Sequence, residues 1–293
     1  MKKILLLSLA ALGTAAMLGH RYKTPEPSLL SPECYVSCFN GDIREQFRQE
    51  AGTMAFAAMH ETPRYYQLEN PTGKNIHFTA ADGSTAMGYE IKSKTKSNKW
   101  VFVIQEWWGL NDYIKRESET LFRELDHVNV IALDLYDGKV AATPDSAMKL
   151  VRAAQTDRLE NIIKGAIAYA GKDARIYTIG WCFGGMWSLQ ASILAGKQAA
   201  GCVMYYGRPE NNMEKLKNLN CDVIGFFGNQ DRSPSPELVT KFESDMQAAG
   251  KKLTAHKYEA NHGFANPSNP SFNKAATEDA HAKAIAFLKQ HME

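Results

Sequence analysis

The sequence predicts a doubly wound α/β domain with a mainly parallel sheet, spanning residues 74–293 and preceded by a helical extension. From about residue 74, short apolar runs of strand length alternate with amphipathic stretches of helix length. Each parallel crossover needs such a helix, and the helices then cover both faces of the sheet. A chain of 293 residues, 44% of them hydrophobic, is long enough to enclose one large core.

Residues 1–19 are interpreted as a secretory signal peptide. Lys2 and Lys3 form a basic start, an apolar core follows, and small residues near Ala16 suit cleavage. The alternative is an uncleaved membrane anchor, but the apolar stretch falls short of the roughly 20 residues that span a bilayer. We therefore expect an exported protein, periplasmic or secreted, that leaves the membrane once the signal is cleaved.

The charge of the mature chain gives no reason to expect a polyanionic partner. Removing Lys2 and Lys3 lowers the count of basic residues from 34 to 32, against 32 acidic ones, so the formal charge becomes zero. Neither nucleic acid nor an anionic membrane surface is expected to bind.

Residues 20–73 form the extension. A proline-rich lead-in is followed by an amphipathic helix at about Asp42 to His60, whose apolar face carries Ile43, Phe47, Met54 and Met59. The extension is interpreted as a helix that covers the flank of the domain; a lid and an oligomer contact are the alternatives.

The elements of the domain follow one another regularly. Two strands at 75–80 and 84–92 surround the turn Ala81–Asp82–Gly83. Further strands are predicted at Val101–Gln105, Val128–Leu133, Ile176–Ile179, Cys202–Tyr206, Val223–Phe227 and Leu253–Tyr258. Helices are predicted at about 112–126, 145–171, 184–195, 235–249 and 274–291.

The five cysteines leave at least one thiol unpaired. Cys34 lies close to Cys38, and Cys202 and Cys221 each stand near the start of a strand, so two disulfides are conceivable. The alternative is buried, reduced cysteines. Cys182 stands apart in a glycine-rich turn.

Cys182 is the candidate nucleophile. It lies in Gly180-Trp181-Cys182-Phe183-Gly184, after an apolar strand and before a helix, which is the arrangement of a nucleophile elbow with sulfur in place of the usual oxygen. The helix N-terminus there favours a thiolate and a developing oxyanion, with the Phe183 N–H as one donor. A structural turn with a buried cysteine is the alternative.

Asp231 and His262 follow in the order that this fold requires, nucleophile, acid, histidine. Asp231 comes just after the strand Val223–Phe227, and His262 comes after Leu253–Tyr258, so both belong to the carboxyl edge of the sheet. Each alone is as readily a surface loop residue. Together with Cys182 they form a candidate triad, in which His262 acts as base and Asp231 orients it.

Glu106 occupies an unusual position, at the tip of a central buried strand beside Trp107 and Trp108. Burying a carboxylate is costly unless a partner pairs with it. A helix-capping role is the alternative explanation.

Several motifs resemble the dienelactone hydrolase family of α/β-hydrolases: Gln-Glu-Trp-Trp-Gly-Leu-Asn from Gln105, Asp134-Leu135-Tyr136, the Cys182 elbow, Gly-x-x-Asp ending at Asp231, and His-Gly-Phe from His262. The resemblance covers about residues 84–291. It implies the triad Cys182, Asp231 and His262, a Glu106 that holds the resting thiol, and a second oxyanion donor from the Trp107 N–H. The substrate pocket is expected to include Trp108, Trp181, Tyr136 and Phe264.

The chain differs from this family at the residues that would bind a substrate carboxylate. Two arginines would be expected to clamp it, but Asn266 stands at the position of one, and only Lys139 offers a cation near the other. A carboxylated dienelactone is therefore a doubtful substrate.

We expect a hydrolase of small esters or lactones that forms an acyl-enzyme. The alternatives are a non-catalytic binding protein of the same fold and a redox-responsive thiol protein. No cofactor is indicated. No metal site is expected either, because the eight histidines are scattered without ligand spacing.

Overall fold

The computed structural model describes residues 41–293 and confirms the predicted fold class. The signal-peptide prediction, the proline-rich lead-in, Cys34 and Cys38 lie outside the described residues. The strands are β1 (Lys74–Thr79), β2 (Thr85–Ile91), β3 (Lys99–Ile104), β4 (Asn129–Asp134), β5 (Arg175–Trp181), β6 (Ala199–Tyr205), β7 (Val223–Gly228) and β8 (Leu253–Tyr258). Each lies within about three residues of its predicted position, because a run of apolar residues of strand length is a local signal.

The strands form one sheet in the order β1-β2-β4-β3-β5-β6-β7-β8. The β1–β2 and β2–β4 pairs are antiparallel, and the remaining neighbours are parallel. Gly180 near the end of β5 pairs with Ile104 of β3 on one side and Met204 of β6 on the other. The carboxyl ends of the parallel strands therefore meet at one edge of the sheet, where the loops that follow them converge.

The helices are α1 (Ile43–Ala51), α2 (Met54–Ala57), α3 (Asp112–Glu124), α4 (Pro144–Ala153), α5 (Thr156–Ala170), α6 (Phe183–Ala195), α7 (Met213–Lys217), α8 (Pro236–Ala248) and α9 (Lys274–Met292). The prediction of one continuous helix at 145–171 is wrong. Ala154 and Gln155 have extended backbones and divide the segment into α4 and α5. The break allows α5 to pack tightly on the domain, where a Cβ at Gly165 would overlap the carbonyl of Thr79. Tertiary packing here outweighs local propensity.

The predicted extension helix is also divided, into α1 and α2. Gly52 ends the first, and the Thr53 side chain caps the second by accepting from the Phe56 N–H at 3.2 Å. Phe47 and Phe56 are buried in the main core, whereas Met54 is 70% exposed, contrary to the expected apolar face. The break rotates Met54 outward and turns the Phe56 ring toward the domain.

The thiols of Cys202 and Cys221 are free, so a disulfide between them is not formed. Cys202 is fully buried near the Ser188 hydroxyl, at 3.6 Å, and behaves as a small core residue. Within residues 41–293, no helix combines the length and the apolar character needed to cross a bilayer.

Candidate active site

Cys182 lies at a sharp turn between β5 and α6. Its backbone has φ 55° and ψ −117°, a region that residues other than glycine rarely adopt. The turn is tight, since a Cβ at Gly180 would overlap the backbone of Gly184, and one at Gly184 would overlap the carbonyl of Ile104. The two glycines therefore let strand and helix approach closely enough to project the thiol at the helix N-terminus.

Asp231 and His262 form a buried pair beside this thiol. His262 Nδ1 lies 2.8 Å from Asp231 Oδ2, and Asp231 Oδ1 accepts from the Ser233 N–H at 2.8 Å. Since a carboxylate can only accept, Nδ1 carries the proton and Nε2 is left as the basic nitrogen. The side chains of His262 and Cys182 approach each other to within 4.8 Å at their ligating atoms.

Burial and charge act in opposite directions on these groups. Burial alone would lower the pKa of His262, but the Asp231 carboxylate and the Cys182 sulfur raise it well above its usual value. Burial raises the pKa of the Cys182 thiol, and the neighbouring His262 lowers it only in part. The raised pKa makes His262 a strong base beside the thiol, so it is placed to take the Cys182 proton.

One backbone N–H contacts the Cys182 sulfur, from the helix side. The Cys182 N–H itself is engaged with the Tyr205 carbonyl at 3.0 Å. The Phe183 N–H, in the first turn of α6, contacts the Cys182 sulfur. Trp107 follows β3 on the other side, with its side chain fully buried. Helix-terminal N–H groups of this kind suit a developing negative charge.

Glu106 is held by partners other than the thiol. Its Oε2 accepts from Asn266 Nδ2 at 2.7 Å, and its Oε1 accepts from the Tyr206 hydroxyl at 3.5 Å. Burial raises its pKa to about 7, with His262, Tyr206 and Asn266 opposing that rise. Asn266, at the position where an arginine clamp was expected, thus serves as a partner of the buried carboxyl group.

The extension contributes side chains to this site, a role that the sequence indicated only through the alternative of a lid. The Phe47 ring packs on Phe183 at 5.8 Å between centroids, and the Phe56 ring meets Trp107 edge-on at 5.2 Å. His60, just beyond α2, lies 5.3 Å from the His262 ring, centroid to centroid. Cys182 is consequently only 2% exposed. No local motif marks His60, since its position depends on how the extension folds over the domain.

A cavity of about 290 Å³ is lined by Glu106 and Trp181, neighbours of the triad, although Cys182, Asp231 and His262 are not part of its lining. Of the four residues expected to line the substrate pocket, Trp108 and Trp181 do so, together with Tyr206 and Asn266. Tyr136 instead packs against Phe183 at 5.4 Å, outside the lining of this cavity. Phe264 is fully buried between Tyr206 and Tyr258, where its ring belongs to the core.

The charged lining of the cavity is mainly acidic. Lys139, the cation considered from the sequence, is exposed and lines a separate cavity. Arg116 lines the cavity beside Glu106, but its guanidinium lies over the Tyr66 and Tyr113 rings, 4.9 and 5.3 Å from their centroids. Glu106, Glu117 and Glu278 supply the carboxyl groups of the lining.

Comparison with known proteins places the chain in a family. A model of the dienelactone hydrolase family matches residues 87–292, more than two thirds of the chain. The chain belongs to the dienelactone hydrolase family. It is accordingly a hydrolase that acts on ester bonds, and the alternative of a non-catalytic binding protein is not supported.

The similar proteins share at most about a quarter of their residues with this dienelactone hydrolase family member. Carboxymethylenebutenolidase 1 of Cupriavidus pinatubonensis is 25% identical over 228 residues, which cover 73% of this chain and 95% of that protein. An esterase of Pyrococcus furiosus superposes with a TM-score of 0.59 at 16% identity, covering 80% of this chain and 98% of that one. A dienelactone hydrolase-like promiscuous phosphotriesterase from metagenomic libraries gives a TM-score of 0.64 at 17% identity, covering 75% and 98%. The two structures share the fold.

Proposed function

We propose that this chain is an exported hydrolase of small, uncharged esters or lactones that uses Cys182 as its nucleophile. The observation that carries the proposal is the alignment of three buried side chains. Cys182 stands at the strained elbow, His262 faces it, and Asp231 fixes the His262 tautomer through the 2.8 Å contact at Nδ1. Nucleophile, base and orienting acid are the three parts that nucleophilic catalysis needs.

The reaction follows from these positions. His262 takes the thiol proton, and the Cys182 sulfur attacks the ester carbonyl carbon to form a tetrahedral oxyanion. The backbone N–H groups of Phe183 and Trp107 stabilise that oxyanion. Its collapse breaks the carbon–oxygen bond, His262 returns the proton to the leaving alkoxide, and a thioester remains. Water activated by His262 then hydrolyses the thioester and regenerates the thiol.

Activity profiling over a panel of chromogenic esters and lactones tests this function, with Cys182→Ala as the control. Turnover of at least one class by the wild-type protein, lost in the variant, supports the proposal. A panel hydrolysed equally by both proteins would contradict it.

Export is the second part of the proposal. It is supported by the basic start and apolar core of residues 1–19. Expression of the full chain in a bacterial host, followed by fractionation and N-terminal sequencing of the product, tests it. A product in the cytosolic fraction that still begins at Met1 would contradict export.

Uncharged substrates are expected to be handled at least as well as carboxylated ones. An arginine clamp on a carboxylate contributes about 1.5–3 kcal/mol, a roughly tenfold to hundredfold preference. Here Asn266 stands in place of one arginine, Lys139 lies outside the cavity, and carboxyl groups such as Glu117 line it. The measurement is kcat/KM for one lactone with and without its carboxylate. A preference above about a hundredfold for the carboxylated form would contradict the prediction.

A matched variant tests the origin of this preference. Glu117→Gln removes one carboxylate from the lining, so it is expected to shift the ratio toward the carboxylated lactone by a few fold. The same change at the exposed Glu214, outside the cavity lining, should leave the ratio unaltered.

Glu106→Gln is expected to change turnover by about tenfold or more, equivalent to about 1.4 kcal/mol, while leaving the melting temperature within a few degrees. The amide keeps the size of the carboxyl group and can still accept from Asn266, so packing is preserved. It removes the charge that Glu106 can carry next to His262 and the thiol. The measurement is kcat together with thermal unfolding. A large loss of stability with unchanged turnover would show that Glu106 is structural.

A further inference from the structure

His60 brings a third ligating side chain to the catalytic cysteine and histidine. One ligating atom each of His60, Cys182 and His262 lies within 4.8 Å of the other two. All three side chains are buried, with 7%, 2% and 5% exposure respectively. The proposed hydrolysis uses Cys182 and His262 but assigns no role to His60.

The two imidazoles are oriented in the same manner. His60 Nδ1 lies 2.9 Å from the Phe56 carbonyl oxygen, and His262 Nδ1 lies 2.8 Å from the Asp231 carboxylate. Both oxygens can only accept, so each Nδ1 carries a proton and each Nε2 is the nitrogen available to a ligand. Neither buried Nε2 makes a close hydrogen bond, although the Cys182 side chain interacts with His262. A buried imidazole nitrogen without a close partner is costly, most clearly at His60, and this favours a bound group between the two rings.

The donor set is that of a transition metal. One thiolate with two imidazoles suits Zn²⁺, and histidine ligands in such sites characteristically donate their other N–H to a carbonyl or a carboxylate. Phe56 and Asp231 already supply those acceptors. The Cys182 thiolate and the Asp231 carboxylate together balance the charge of a divalent ion.

We propose that His60, Cys182 and His262 form a binding site for a borderline transition metal ion, with Zn²⁺ as the representative, that reversibly blocks the nucleophile. Binding forms one metal–sulfur and two metal–nitrogen bonds and releases the Cys182 thiol proton to solvent. Zn–N distances of about 2.0–2.1 Å and Zn–S of about 2.3 Å set the ligand atoms roughly 3.5 Å apart. Since these atoms already lie within 4.8 Å of one another, the side chains need to close by at most about 1.3 Å. His60 follows the end of α2 and lies outside regular secondary structure, which allows this closure.

Metal titration of the purified protein tests the site without reference to turnover. Calorimetry is expected to show one Zn²⁺ bound per chain, and Co²⁺ should produce a thiolate-to-metal charge-transfer band that Zn²⁺ displaces. His60→Gln is expected to weaken Zn²⁺ binding at least tenfold, and Cys182→Ala should abolish the band. His77→Gln, at an exposed histidine of β1, is the matched control and should bind Zn²⁺ like the wild type.

A second variant, His60→Cys, shows whether weak Zn²⁺ binding by His60→Gln comes from the lost ligand or from misfolding. It replaces the imidazole with a second thiolate, so it should still bind Co²⁺ and show about twice the charge-transfer absorption. Wild-type Zn²⁺ affinity in a folded His60→Gln protein, or a Co²⁺ complex without a thiolate band, would overturn the proposal.

The same titration tests the metal site independently of the proposed hydrolysis. If the protein hydrolyses esters, one equivalent of Zn²⁺ should stop turnover, and a chelator should restore it. If no ester is hydrolysed, calorimetry and the Co²⁺ band still decide whether the metal binds.

Discussion

Cys182→Ala is expected to lower kcat/KM for ester hydrolysis by at least about a thousandfold, or about 4 kcal/mol of transition-state stabilisation. Without sulfur no thioester forms, and only the background catalysis of the oxyanion-binding amides remains. The substitution removes one buried atom, so the protein should still fold. The elbow conformation at residue 182 depends on the flanking glycines Gly180 and Gly184 rather than on the thiol.

Intact mass spectrometry provides a second measurement of this prediction. A slowly hydrolysed ester should leave one acyl adduct on the wild-type chain and none on Cys182→Ala. Cys221→Ala is the matched control, since Cys221 is a free, partly buried thiol near the start of β7, at the opposite edge of the sheet. Unaltered turnover in Cys182→Ala, or loss of activity only in Cys221→Ala, would exclude Cys182 as the nucleophile.

The fold could be predicted because its signals are local. Apolar runs such as Val223–Phe227 identify buried strands directly, and their alternation with helices implies the parallel sheet. The break between α4 and α5 could not be predicted in this way. Neither proline nor glycine marks Ala154 and Gln155, and the helix ends there because of how α5 packs against the residues after β1.

The site could be predicted only as far as chain order and strand ends determine it. Asp231 and His262 follow buried strands, so the sequence places them at the same edge as Cys182. His60 lies in a segment with no strand before it, and its proximity to His262 arises from long-range packing of Phe56 on Trp107. No metal site was expected because the histidines lack ligand spacing in the sequence. Sequence spacing carries no information about a long-range contact such as that between His60 and His262.

The extension and the catalytic domain form one packed unit. Arg44 pairs with Glu160 of α5, and Arg208 pairs with Glu50 of α1 at 2.5 Å. Phe47 and Phe56 join the same core as the sheet. This packing agrees with the interpretation of the extension as a helical segment that covers the flank of the domain. The extension also contacts Phe183 and His262, so it covers the nucleophile as well.

Asp231→Asn is expected to lower kcat/KM by at least about a hundredfold, or about 2.7 kcal/mol. The carboxylate accepts from His262 Nδ1 at 2.8 Å and so leaves Nε2 free to take the Cys182 proton. An amide can present N–H to the same nitrogen, which moves the imidazole proton to Nε2 and removes the base from the thiol. The amide oxygen still accepts from the Ser233 N–H, so the loop geometry is retained.

The chain offers a matched control in a second aspartate–histidine pair. Asp222 Oδ2 lies 3.2 Å from His291 Nε2 at the opposite edge of the sheet, remote from the cavity. Asp222→Asn should therefore leave kcat/KM unchanged even if it alters stability, and thermal unfolding of both variants separates the two effects. Because Asp231 acts on His262 rather than on the substrate, the expected loss lies in kcat rather than in KM. A folded Asp231→Asn protein with wild-type kcat would mean that another group orients His262.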